Sequence, residues 1–350
     1  VLRLGTHART QDARDEQEAK IMLNPRAKSA ALTTITLAAL SAATAANAQA
    51  TAPATNAAPT TPQLSPAEAR ANYALPWTLR PAIAPNLLRI ESSIGIRNDG
   101  VAAVTLLTGG YAVLPAKLGF YARLGVTNSV LSTPNAPATN NIATGAVTNP
   151  LIMALFTPEL TKGLRLAVFG AATVPVGTGG GNTPQPLTAS SIATGIPTRS
   201  AMDNALFAVN YFTPIVGLGV AYMRWGFTFQ VEATVLQLIR VRGENHRSAT
   251  DEMRTNFTAG ASVGYLIHRY VTASAEFHYQ HWLSAPNLLN PPTGTPPSVN
   301  QASFEVGVRG NWVISRTVLA RPGISFGMGF NGAMADREYK VIHVDFPITF

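Results

Sequence analysis

The chain has 350 residues, no cysteine and a formal net charge of +8, so hydrogen bonds and burial must hold it together without a disulfide framework. Its charges are scattered singly among apolar residues rather than clustered, which argues against a nucleic-acid partner. Hydrophobic content is 46%, yet past residue 50 no run of roughly 18 apolar residues occurs, which excludes a helical membrane protein; 28 glycines and 25 prolines suit many strands joined by turns.

In chain order, residues 1–21 are charged, lack periodicity and precede Met22; they read as an upstream extension with no part in the fold. Residues 22–50 have the three-part layout of a secretory signal peptide. Arg26 and Lys28 come first, then an apolar run from Ala30 to Leu40, then Ala46-Asn47-Ala48 or Ala48-Gln49-Ala50 as a cleavage site. Residues 51–86 are rich in Pro, Ala and Thr and read as an unstructured N-terminal leader in the periplasm. One short helix is predicted within it, from Ser65 to Asn72, because Ser65 with Glu68 three residues on forms a capping box. Pro76, Pro81 and Pro85 then forbid regular structure up to Asn86.

From Leu87 the pattern becomes period two, and twelve strands are predicted over 87–350. They cover 87–98, 101–114, 117–127, 147–157, 163–174, 205–224, 226–241, 254–267, 271–282, 301–314, 316–329 and 339–350. In the first, Leu88, Ile90, Ile94 and Ile96 alternate with Arg89, Glu91, Ser93 and Gly95. In the seventh, Phe227, Phe229, Val231, Ala233 and Val235 oppose Thr228, Gln230, Glu232 and Thr234. Successive strand side chains point to opposite faces, so each strand has one oily and one polar face. Pro214 implies an irregularity in the sixth.

The connections alternate in length, with the hairpin at Asn98-Asp99-Gly100 as the one short member of the long set. Short turns fall near Leu114–Ala116, Glu159–Lys162, Arg224–Gly226, His268–Tyr270 and Ile314–Arg316, and longer loops at 128–146, 175–204, 242–253, 283–300 and 330–338. Outer-membrane barrels have short periplasmic turns, longer extracellular loops and an even strand number. A soluble β-sandwich shares the alternation of faces but not that of loop lengths. Tyr222, Trp225, Phe227, Tyr265, Tyr270, Trp312 and Phe350 fall near short-turn ends, and Phe257, Tyr279, Trp282, Phe304, Phe330 and Tyr339 near long-loop ends, as two aromatic girdles would. The 175–204 loop is the longest; it reads as extracellular, with folding back into the barrel as the alternative.

The polar faces carry charges at similar heights: Arg89, Glu91, Arg123, Glu232, Glu276, His278, Glu305, Arg309, Arg321 and Asp345. Inside a barrel they form an inward belt, and a charge there is costly unless paired. Arg321 is expected to pair with Asp345, and Asp345 with Arg89 across the closure. Alternatively, Glu232 and Glu276 face Arg309 and Arg321 across a wet channel, as a selectivity zone would. Enzyme signatures are weak. His278, His281 and Ser284 share one segment and His343 and Asp345 another, without a complete nucleophile set. No cofactor is called for, and the histidines are too scattered for a metal site.

The last ten residues complete the pattern. Ile342, Val344, Phe346, Ile348 and Phe350 share one face, with His343, Asp345 and Thr349 on the other. This segment resembles the C-terminal assembly signal of Gram-negative outer-membrane β-barrels, and the whole layout resembles their transporters and channels. The resemblance implies an all-β transmembrane antiparallel meander barrel of about twelve strands in the cell outer membrane. It implies contact with lipid, lipopolysaccharide and the barrel-assembly machinery, and passive passage of a small-molecule solute. A barrel with a plugged lumen and a surface or structural role is the first alternative, and a membrane-embedded hydrolase the second.

Overall fold

The computed structural model describes residues 64–97, 100–115, 117–131, 142–182, 185–243, 253–284, 299–331, 334–335 and 338–350. The upstream extension, the signal peptide and residues 51–63 of the leader lie outside the described residues, as does most of the 242–253 and 283–300 loops.

All the strand segments join one sheet and arrange as twelve staves. They are β1 (Leu87–Arg97), β2 (Gly100–Leu114), β3 (Leu118–Leu131), β4 (Ile142–Val147 and Leu151–Phe156), β5 (Leu164–Thr173), β6 (Tyr211–Arg224), β7 (Phe227–Arg240), β8 (Met253–His268), β9 (Val271–Trp282), β10 (Asn300–Gly310), β11 (Leu319–Ala320 and Gly323–Asn331) and β12 (Lys340–Thr349). Each pairs antiparallel with the next. β12 returns to β1 in register from Leu87↔Thr349 to Ile96↔Lys340, which closes the cylinder. On β4, Val147 pairs with Val126 and Leu151 with Arg123, so one extra residue bulges at Thr148-Asn149-Pro150. The two-residue turn Trp225-Gly226 has φ 52° and 80°, the left-handed pair such a hairpin prefers.

Burial is inside out relative to a water-soluble protein. On β7, Phe227, Phe229 and Val231 are exposed at 52%, 51% and 40%, while Thr228, Gln230 and Glu232 are at 1%, 1% and 5%. The predicted aromatic girdles are exposed at Tyr222, Trp225, Phe227, Tyr265, Tyr270, Trp312, Phe304, Phe330 and Phe350. Phe257, Tyr279 and Trp282 are only half-buried, with Trp282 against the interior cluster, and Tyr339 departs furthest. It points inward, is buried, and its hydroxyl meets Thr198 Oγ1 at 2.6 Å.

Two inserts fill the cylinder. From the short-turn end, α1 (Pro66–Ala71) docks on the β10–β11 turn, where Ala67 N donates to Arg316 O at 3.1 Å and Arg70 to Thr317 O. Its capping box forms as predicted, with Ser65 N to Glu68 Oε2 at 2.8 Å and Glu68 N to Ser65 Oγ at 3.3 Å. Residues 73–80 then run buried through the lumen. The sequence put this part of the leader in the periplasm. The prolines deny it a strand ladder of its own, and the polar wall supplies the partners that its backbone groups need.

The second insert comes from the long-loop end. The 175–204 segment, read as an extracellular loop, folds back through α2 (Pro186–Thr198) and α3 (Asn204–Phe207). Ser200 and Ala201, at φ 54° and 57°, reverse the chain between them. Ile192, Leu206, Phe207 and Val209 pack against Leu106, Tyr121 and Phe169 of the wall. Because Asn204–Phe207 is helical, the sixth strand starts at Tyr211 and not at 205.

Candidate functional site

Strand alternation aims the predicted belt residues inward, except that Arg321 turns in from the break between the two segments of β11. Arg89, Glu91, Glu232, Glu276, His278, Glu305, Arg309, Arg321 and Asp345 are buried, and the Arg123 side chain is 15% exposed. They do not face one another across an open channel. The inserts divide them into two sets.

The first set grips the leader. Glu276 on β9 accepts three successive amides: Trp77 N on Oε2 at 2.7 Å, then Thr78 N and Leu79 N on Oε1 at 2.9 and 3.0 Å. Glu232 on β7 accepts Arg80 N at 2.8 Å and the Arg80 guanidinium at 3.1 Å. Gln230 donates to Arg80 O at 2.6 Å, Arg89 to Trp77 O at 2.5 Å and Arg309 to Pro76 O at 3.3 Å. The Arg309 guanidinium lies 3.6 Å over the Trp77 ring, a cation–π contact in a desolvated place. The carboxylate and guanidinium faces expected to oppose each other across water are thus bridged by peptide.

The second set ties the outer insert to the wall. Glu91 on β1 meets Arg89 at 2.9 Å, Arg199 at 3.4 Å and Arg123 at 3.6 Å. Asp203 meets Arg199 at 3.0 Å, Arg123 at 3.2 Å and Arg80 at 3.7 Å. Burial pushes the Asp203 carboxyl up, but the Arg123, Arg199 and Arg80 guanidiniums outweigh it and hold the group below its ordinary value. Asp345 pairs with Arg89 at 2.6 Å, as predicted across the closure, and with Arg309. It does not pair with Arg321. That guanidinium turns instead to Asn311 Oδ1 at 2.9 Å, because Arg309 already occupies the other carboxylate oxygen. Glu305 accepts from Ser325 and lies 3.3 Å from His343.

Two arrangements bear on chemistry. His278 bridges Ser303 Oγ at 3.1 Å and Glu276 Oε1 at 2.6 Å, the connectivity of a nucleophile–base–acid relay. Here, however, Glu276 also holds the leader amides, and the Ser303 side chain is buried. Glu91, His343 and Asp345 bring ligand-type atoms within 4.8 Å of one another, but Arg89, Arg199 and Arg309 already occupy the two carboxylates. The donor set suits guanidinium rather than a metal ion.

Sequence reasoning missed Trp77, Arg80, Gln230, Arg199 and Asp203. Arg80 had a signal, as a charge among prolines and apolar residues next to a polar barrel. Arg199 and Asp203 had one too, as the first charges after a run from Pro175 to Thr198 that has none.

No protein-family model matches the chain, and no curated protein does. Among solved structures it is similar to an outer-membrane channel from Pseudomonas putida F1, with 8% identity, 78% of this chain and 98% of that chain covered, and a TM-score of 0.49. It is also similar to the NanC porin, with 8% identity, 75% and 98% covered and a TM-score of 0.45. For the KdgM porin the values are 8%, 75% and 99%, and 0.42. The barrel assignment rests on the strand pairing above and not on these distant likenesses.

Proposed function

We propose that the chain is an outer-membrane channel for small solutes, without catalytic activity, that this conformation holds shut with its own leader and its own long loop. The observation that carries the reading is the cut of the wall around the leader. Inward positions on β8, β10 and β11 are Gly260, Gly264, Gly307 and Gly323, and a Cβ there would strike Leu79, Ala74 and Trp77; at Gly307 and Gly323 the approach to Trp77 is 2.6 and 2.7 Å. A barrel meant to stay solid fills its interior with its own inward side chains. This one leaves room for a separate segment attached by hydrogen bonds and ion pairs. The oily exterior fits outer-membrane lipid, and the belt charges become a selectivity zone once the inserts leave.

Planar-bilayer recording tests this. Wild type should be closed with rare openings, and Arg80→Ala with Arg199→Ala, which loosens both inserts, should give stepwise ohmic currents. In that open background, Arg309→Ala with Arg321→Ala should move the reversal potential toward cation selectivity. Silence of the loosened variant at every voltage would sink the channel reading. The second reading, a permanently filled structural barrel, is favoured by one contact: Arg80 meets Asp203, so the inserts brace each other.

A further inference from the structure

We infer that the lumen is a receptor site for a short extended peptide, and that residues 74–82 of the leader are its tethered occupant. This rests on the channel reading and names the class of solute. The wall recognises main chain more than side chain. Between Pro76 and Arg80 it receives four successive N–H groups, those of Trp77, Thr78, Leu79 and Arg80, on two carboxylates. It donates to three carbonyls, those of Pro76, Trp77 and Arg80, from Arg309, Arg89 and Gln230. Ala74 N adds Thr228 Oγ1 at 2.9 Å.

Donors and acceptors in that order match a peptide backbone and no sugar or simple aromatic. Two side-chain places supply selectivity. One is a flat slot between the Arg309 guanidinium and the glycines at 307 and 323, filled by the Trp77 indole. The other is an acidic end made by Glu232 and Asp203, with the Phe169 ring 5.2 Å from the Arg80 guanidinium. The Trp77 Nε1 proton finds no acceptor among the described residues, so the slot recognises a ring and not an indole, and Phe satisfies it. The ligand class is a peptide with an aromatic residue and a basic residue three positions later.

A tethered occupant competes at an effective concentration in the millimolar range, so free peptide should bind poorly until the tether is weakened. The test uses the full-length protein in detergent and a fluorescein-labelled peptide with the sequence of residues 74–82, read by anisotropy. Trp77→Ala with Arg80→Ala should bind it saturably and at least tenfold tighter than wild type, and adding Glu276→Gln should weaken that binding about 30-fold. A scrambled peptide of the same composition, which misplaces the aromatic and basic residues, should bind at least tenfold more weakly. Equal binding of the scrambled peptide, or no saturation at millimolar peptide, overturns the inference. Should the double variant fail to fold, wild-type barrel with a single Thr78→Cys serves instead. Millimolar peptide should speed maleimide labelling of that cysteine at least threefold by displacing the leader, and an unchanged rate overturns the inference. Conductance of the same double variant separates the two ideas. Open pores without peptide binding reject the peptide and keep the channel, while peptide binding to a silent barrel rejects the channel.

Discussion

The leader's hold on the barrel is concentrated in one side chain, and Glu276→Gln measures it. In wild type Oε2 takes Trp77 N–H, while Oε1 takes Thr78 and Leu79 N–H and faces His278. A glutamine replaces one of those oxygens with an NH₂ that cannot accept. At least one buried amide is left unpaired, at about 1–3 kcal/mol, and the remaining bonds lose their charge assistance, at about 1 kcal/mol each. Against this, neutralising a buried carboxylate relieves part of its desolvation cost. The balance is about 2 kcal/mol against the seated leader, or roughly 30-fold in the seated-to-released ratio. The chain has no cysteine, so Thr78→Cys provides a single buried thiol; Thr78 itself is 3% exposed. When opening and closing outpace modification, the maleimide rate follows the released fraction. Glu276→Gln should raise that rate about 30-fold, while Glu159→Gln, at an exposed turn pair with Arg165, should leave it unchanged. A rise under threefold, or an equal rise in the control, refutes the argument that this carboxylate holds the leader.

Gly264→Ala places a methyl group against Ala74 of the leader with its other neighbours no nearer than 3.5 Å. Overpacking of this sort costs about 1–3 kcal/mol, so thiol labelling at Thr78→Cys should rise at least fivefold while the barrel's heat-modifiable gel mobility is kept. Val231→Arg sets a charge on the oily face, where Val231 is 40% exposed. Folding into lipid vesicles should weaken by about 2–4 kcal/mol, read by urea titration, and no change would argue against a lipid-facing wall. Asp203 carries a depressed carboxyl pKa. Its contribution to the outer insert is complete above the unfolded value of about 3.9 and is lost as pH falls through the lower folded value. Hydrogen-exchange protection of residues 199–210, taken relative to the intrinsic rate at each pH, should therefore be flat from neutral pH down to about pH 4 and fall below it, and Asp203→Asn should abolish that acid step.

The wall was legible because a barrel's hydrogen bonds and faces are local facts of each strand. Alternation from Phe227 to Val235 fixes which side meets oil, and the short turn at Trp225-Gly226 fixes the register of the hairpin around it. The inward direction of Arg89, Glu91, Glu276 and Asp345 followed from the same alternation. What fills the cylinder was not legible, because neither insert has a repeating pattern. Residues 73–84 have no period, and their prolines look the same in a periplasmic tether as in a lumen plug. Partner choice failed for the same reason. Arg321 is on the strand beside Asp345, but Arg309 reaches that carboxylate and Arg321 finds Asn311. Nearest strand did not mean nearest oxygen.

The two inserts arrive from opposite ends and meet at charge rather than at oil. Arg80 of the leader lies between Glu232 of the wall and Asp203 of the outer insert, and Asp203 shares Arg123 with Glu91. An apolar contact between inserts would weaken gradually as they separate. A buried ion pair instead leaves an uncompensated charge when one partner goes, so loss of one insert makes the other's position worse. That is a coupling free energy, and it acts with the same magnitude in both directions. Arg80→Ala and Asp203→Asn, singly and together, measure it through Thr78→Cys labelling. Contacting pairs of this sort interact by about 0.5–3 kcal/mol, so the double variant should depart from the product of the single effects by at least about twofold. Effects that multiply cleanly would show that the inserts leave independently, and a barrel with two independent stoppers has no means of passing a signal from its long-loop end to its short-turn end through this contact.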